Sequence, residues 1–149
     1  MAPTDPQPFY FGARESKGAI EIKIPLCPQE RVLRVSVIDA DATEDASPPV
    51  IWSATAPKSN VAARGVFDLW SGKGFLRSSN PPAPDATPER IEVDYSPVEG
   101  DGTGDVFDLG EVRKARLAAD QYWTYRGPRT ADQIDAQLKC SREESDAGS

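Results

Sequence analysis

The chain predicts an all-β fold, a single antiparallel β-sandwich of immunoglobulin-like type with about eight or nine strands and a short C-terminal helix. Three observations lead there. Apolar and polar residues alternate with a period of two in several short runs, as a sheet with one buried face requires. Glycine and proline punctuate the chain between those runs. Interior segments with helical spacing are nearly absent.

The clearest strand is GAIEIKIPL, where Ile20, Ile22, Ile24 and Leu26 alternate with Glu21, Lys23 and Pro25. RVLRVSVIDA follows, with Leu33, Val35 and Val37 expected on one face, Arg34 and Ser36 on the other, and Val32 and Ile38 adding β-branched residues. The short link Cys27 to Glu30, with Pro28 in it, suggests that these two strands form a hairpin. DADATEDASPP then reads as a loop, and PVIWSATAP as a strand with Val50, Trp52 and Ala54 on one side and Ile51 and Ser53 on the other.

KSNVAA leads into a short VFDL strand, WSGKG makes a glycine turn, and FLRSS resumes extended chain. SSNPPAPDATPE is too rich in proline to continue a helix and reads as a surface loop. RIEVDYSP is a strand with Ile91, Val93 and Tyr95 opposed to Glu92 and Asp94. VEGDGTG is a turn before the second VFDL, EVRKARLAAD is either a short helix or a loop, and QYWTYRG reads as a strand. TADQIDAQLKC carries the capping-box pair Thr130 and Gln133, with Ile134 and Leu138 four apart on one face, which predicts the terminal helix. The ends, 1–8 and 141–149, are polar and expected to be flexible, leaving one domain over 9–140.

VFDL occurs twice, at Val66 to Leu69 and at Val106 to Leu109. The flanks do not agree, as they would in a true repeat, so the expectation is that each copy buries its Phe and Leu together on one face.

The net charge of −7, with scattered Lys and Arg, argues against nucleic acid as partner. No run of about 18 apolar residues is present, so no membrane span is expected. The absence of histidine removes Ser-His-Asp and Cys-His catalysis and histidine-ligated metals. No nucleophile or cofactor motif appears, and neither an enzyme nor a resident cofactor is expected.

The most suggestive loop is EGDGTGD, where Glu99, Asp101 and Asp105 are candidate calcium ligands. Its match to a calcium loop fails at the final position, where Gly110 stands in place of a bidentate Glu. DADATED, Asp39 to Asp45, is a second acidic loop that could share a cation with it. Cys27 and Cys140 are either a disulfide, which across about 100 residues stabilises by about 4.7 kcal/mol, or two idle thiols. Antibody domains place both cysteines in core strands, and Cys140 at the chain's end departs from that arrangement.

Trp70 and Trp123 are candidate aromatic contacts for a sugar ring, although in YWTY one of the alternating pairs should pack inward. Absence of a leader favours the cytoplasm or a virion, while a bridged cysteine pair would favour export. The Ala, Asp, Arg and Pro content fits a bacterial or phage genome of high GC content. The resulting expectation is a non-enzymatic module acting on an unknown protein partner in an accessory, assembly or structural role. Its alternative is a carbohydrate- or calcium-binding module.

Overall fold

The computed structural model describes residues 9–27, 29–42, 50–83, 85, 87–98 and 102–138. The alternating runs become ten strands: β1 (Gly12–Ser16), β2 (Ala19–Lys23), β3 (Val32–Asp39), β4 (Val50–Pro57), β5 (Val66–Asp68), β6 (Phe75–Ser78), β7 (Arg90–Pro97), β8 (Gly104–Asp108), β9 (Gln121–Tyr122) and β10 (Arg129–Thr130). Among the described residues three short α-helices interrupt them, α1 (Asn60–Ala63), α2 (Leu109–Lys114) and α3 (Ala131–Ala136). With 44% strand against 16% helix among the described residues, the fold is mostly β.

Every described strand pairing is antiparallel. One sheet has the order β1-β2-β5, a second the order β6-β4-β3-β7-β8, and β9 and β10 form a small ribbon. The sequence pattern does not announce β1. It joins β2 through a tight turn in which Lys17 and Gly18 both have positive φ, 55° and 83°. That geometry matches the right-handed twist of a hairpin, and Lys-Gly signals it less clearly than Asn-Gly would.

The two larger sheets share one core. Ile20 and Ile22 of β2 and Phe67 of β5 face Val35, Val37, Trp52 and Val93 of the larger sheet. Trp52 stacks on Phe67 with ring centroids 6.1 Å apart, and Phe75 meets the edge of Phe67 at 6.0 Å. Burying side chains of this size stabilises by roughly 1.5–3 kcal/mol each. Both VFDL copies behave alike: Phe67, Leu69, Phe107 and Leu109 are buried, while the Val and Asp of each copy are not. The copies lie in different sheets, so their likeness is one of packing.

Two expectations about the second and third strands are corrected. β2 and β3 are not a hairpin, because β2 is flanked by β1 and β5 and β3 by β4 and β7. The link between them carries the chain from one sheet to the other, with Ile24 and Leu26 buried on the way. Its backbone is held by bonds from Ile24 N–H to the Gly65 carbonyl and from Leu26 N–H to Asp135. Leu33 is 47% exposed, not core. The pairing of β3 with β7 shifts between Val32 and Arg34, and this bulge lets Val32 and Val35 both face inward while Leu33 turns out.

α3 begins as its capping box predicts: Thr130 Oγ accepts from Gln133 N–H, and the Gln133 side chain accepts from Thr130 N–H. Ile134 is its fully buried anchor. A Cβ at Gly12 would stand 2.6 Å from both Tyr122 Cβ and Ile134 Cδ1, so only glycine lets β9 and α3 approach β1 this closely. EVRKARLAAD is helical in its first half, where α2 is capped by the Asp108 carboxylate. The QYWTYRG strand is confined to Gln121 and Tyr122, followed by an isolated bridge from Trp123 to Ala13.

Candidate functional site

A concavity among the described residues lies beside β5 and has a volume of about 460 Å³. Val61, Ala62, Val66 and Phe67 form an apolar lining, and Glu21, Asp68 and Lys73 supply charge at its margin. Besides Glu21 of β2, three elements build it. β5 supplies Val66 to Asp68, α1 supplies Val61 and Ala62, and the turn before β6 supplies Lys73 and Gly74. α1 exists because Ser59 accepts from Ala62 N–H at 3.0 Å and because Ala62 and Ala63 are buried.

Glu21 and Asp68 are direct register partners across β2 and β5. Such partners share a face with Cβ atoms about 4.5–5.5 Å apart, where like charges repel. Glu21 is held in place: Tyr122 Oη–H donates to it, and the Arg14 guanidinium lies 3.2 Å from the same oxygen. Burial first, and then the bond to Glu21, push the Tyr122 phenol above its ordinary value, so the hydroxyl remains a donor. Arg14 also covers the Tyr122 ring at 4.4 Å and donates to the Ala119 carbonyl. Among the described residues, neither Asp68 nor Lys73 forms an ion pair.

The backbone beside the groove is open as well. Leu69 N–H bonds to the Ile20 carbonyl and Ile24 N–H to the Gly65 carbonyl. In an antiparallel ladder this alternation turns the peptide groups of Val66 and Asp68 away from β2, toward the groove. The Asp68 carbonyl is taken up by Ser71 N–H at 3.1 Å.

The residues singled out from sequence lie elsewhere. Asp105 accepts backbone N–H bonds on both oxygens, from Phe11 at 2.9 Å and from Val106 at 2.8 Å. Burial raises its pKa and those two bonds oppose the rise. Glu99 and Asp101 lie outside the described residues, as do Thr43, Glu44 and Asp45 of the second acidic loop. No group of three or more acidic, Cys or His side chains suited to a metal is found among the described residues. Trp70 is half-buried and meets the edge of Trp52 at 6.3 Å. Trp123 is half-buried against the core and exchanges backbone bonds with Ala13 at 3.0 and 2.8 Å. The expected alternation of YWTY is present: Tyr122 and Thr124 are buried, while Tyr125 is exposed. Cys27 is buried and disulfide-bonded, and Cys140 lies outside the described residues.

A second polar feature sits on the outer face of the larger sheet. Glu92 and Asp94 point the same way on β7, and Asp94 leans over its register partner Gly104, whose missing side chain leaves it room. Burial and a hydrogen bond to Glu92 hold the Asp94 carboxyl at about 7. Sequence reasoning passes over Glu21, Asp68, Lys73 and Asp94 because acids and a lysine on polar strand faces and turns are ordinary. Only register sets Glu21 beside Asp68 and Asp94 beside Gly104.

Comparison with protein-family models, with curated proteins and with solved structures returned no match. No helix among the described residues is long and apolar enough to cross a membrane.

Proposed function

We propose that the chain is a non-enzymatic, immunoglobulin-like β-sandwich module that acts through contacts with other proteins. The observation that carries this reading is the unequal treatment, among the described residues, of the edges of its two larger sheets. Unpaired edges offer backbone donors and acceptors to any passing strand, and proteins commonly cover them. The edge of β1 is covered at Ala13, which exchanges two backbone bonds with Trp123. At the edge of β8, the Asp105 carboxylate takes the N–H groups of Val106 and Phe11.

Among the described residues, β5 and β6 have no strand on their outer sides. On β6, Ser79 N–H bonds to the Ser53 carbonyl, which turns the peptide groups of Leu76 and Ser78 outward. The Leu76 side chain there is 65% exposed. Engagement of Trp70, Trp123 and Asp105 within the fold favours this reading over a carbohydrate or calcium module. The lack of histidine and the net charge of −7 favour it over a catalyst and over a nucleic-acid binder.

Placing a photo-crosslinking amino acid at Leu76, at Val66, and at the exposed turn residue Lys17 tests the reading in the cells that make the protein. A discrete protein adduct at an edge position and none at Lys17 is the expected result. Absence of any adduct at both edges overturns it.

A further inference from the structure

We propose that the open edge of β5 receives an extended segment of a protein partner as an added strand, with a single basic side chain of that segment lying between Glu21 and Asp68. This deepens the protein-contact reading and rests on it. Three features of the groove converge on such an occupant. The outward peptide groups of Val66, together with Asp68 N–H, offer main-chain bonds to a new strand. The register pair Glu21 and Asp68 sets two carboxylates opposite one another, and of the two Arg14 pairs with Glu21. A cation arriving between them relieves a repulsion built into the sheet.

The third feature is the apolar lining. Val61 is 59% exposed at the groove wall, and side chains alternate along an added strand. The residue next to the basic one therefore turns to the other face, where an apolar side chain is favoured. Lys73, free of ion pairs among the described residues, stands at the same groove and repels a second cation. The preferred segment thus carries one Lys or Arg flanked by apolar residues, not a basic run. Because β5 is only three residues long, the contact is weak and reversible.

The test uses the full chain, labelled with nitrogen-15, and two acetylated and amidated peptides, Thr-Val-Lys-Val-Thr and Thr-Val-Glu-Val-Thr. The lysine peptide is expected to shift the amide signals of Val66, Phe67 and Asp68, and the glutamate peptide to leave them in place. Asp68→Lys should weaken the lysine peptide by about fivefold or more, the effect of reversing one partly exposed ion pair. Lys73→Glu should strengthen it, which keeps the test decisive if the first variant folds poorly.

Equal response to both peptides, or no response at residues 66–68, overturns the proposal. Shifts at Leu76 and Ser78 instead would overturn it while leaving the interaction-module reading intact. Concentration-dependent shifts at residues 66–68 without peptide would assign the edge to a second copy of this chain and overturn the separate-partner assignment.

Discussion

The Lys23 ammonium lies 2.7 Å from the Asp135 carboxylate and is only 4% exposed, an ion pair that fastens β2 to the C-terminal helix. Lys23 also donates to the carbonyls of Ile24 and Arg64, and the same Asp135 oxygen accepts from Leu26 N–H. An aspartate on α3 thereby holds the start of the crossing between the two sheets. Removing one partner leaves the other charge buried without compensation. Asp135→Ala is expected to cost about 3 kcal/mol. Lys23→Met, which removes the charge that needed the pair, should cost less. Urea unfolding of the two variants checks the order, and the reverse order would rule out the uncompensated-charge argument.

Asp94 makes stability depend on pH. Burial first, then the bond to Glu92 and its charge, raise its carboxyl from 3.8 to about 7. The folded state therefore holds a proton that the unfolded state has given up between those values. The stability this group contributes is present in full below 3.8 and is lost as pH climbs toward 7. Asp94→Asn abolishes that slope. Above pH 7 the variant should melt higher than the parent by roughly 2–4 °C, taking about 1 kcal/mol after solvent screening. Thermal melts of both proteins from acid to mild alkali measure the difference, and parallel curves would remove Asp94 from the account.

The two VFDL segments are expected to respond alike to truncation of their buried half. Phe67→Ala and Phe107→Ala should each cost about 3–5 kcal/mol. Val66→Ala and Val106→Ala, at positions that face outward, should stay within about 0.5 kcal/mol. A repeat with a job of its own would instead show loss of partner binding at both Val positions without loss of stability.

Cys27 is disulfide-bonded within the core margin, so reductant is expected to lower the melting point. A non-reducing gel decides the partner: monomer mobility assigns the bridge to Cys140, and a covalent dimer assigns it to a second chain. Calcium in the same melts should have no effect if Glu99, Asp101 and Asp105 bind none, since only a ligand that prefers the folded state stabilises it.

Much of the fold is legible in single runs of residues. Ile20 and Ile22 against Glu21 declare which face of β2 is buried, and Thr130 with Gln133 declares where α3 begins. Phe67 with Leu69, and Phe107 with Leu109, declare inward pairs in the same way. These are local facts, set by the period of two, by cap chemistry and by the cost of exposing large apolar side chains.

Pairing is a different kind of fact. A period of two says which face a side chain takes and nothing about which strand lies beside it. The hairpin expected between β2 and β3 fails on that point, and Leu33 changes face because a bulge shifts the count. The same blindness hides the groove. Glu21 and Asp68 become opposed carboxylates only through the register of β2 with β5, and Asp94 finds its room only because β8 sets Gly104 beside it. Composition and periodicity therefore determined that this chain is a β protein and which face of most strands turns inward. Long-range backbone pairing decided which edges are closed, which are open and which charges meet, because those contacts join residues that no local pattern connects.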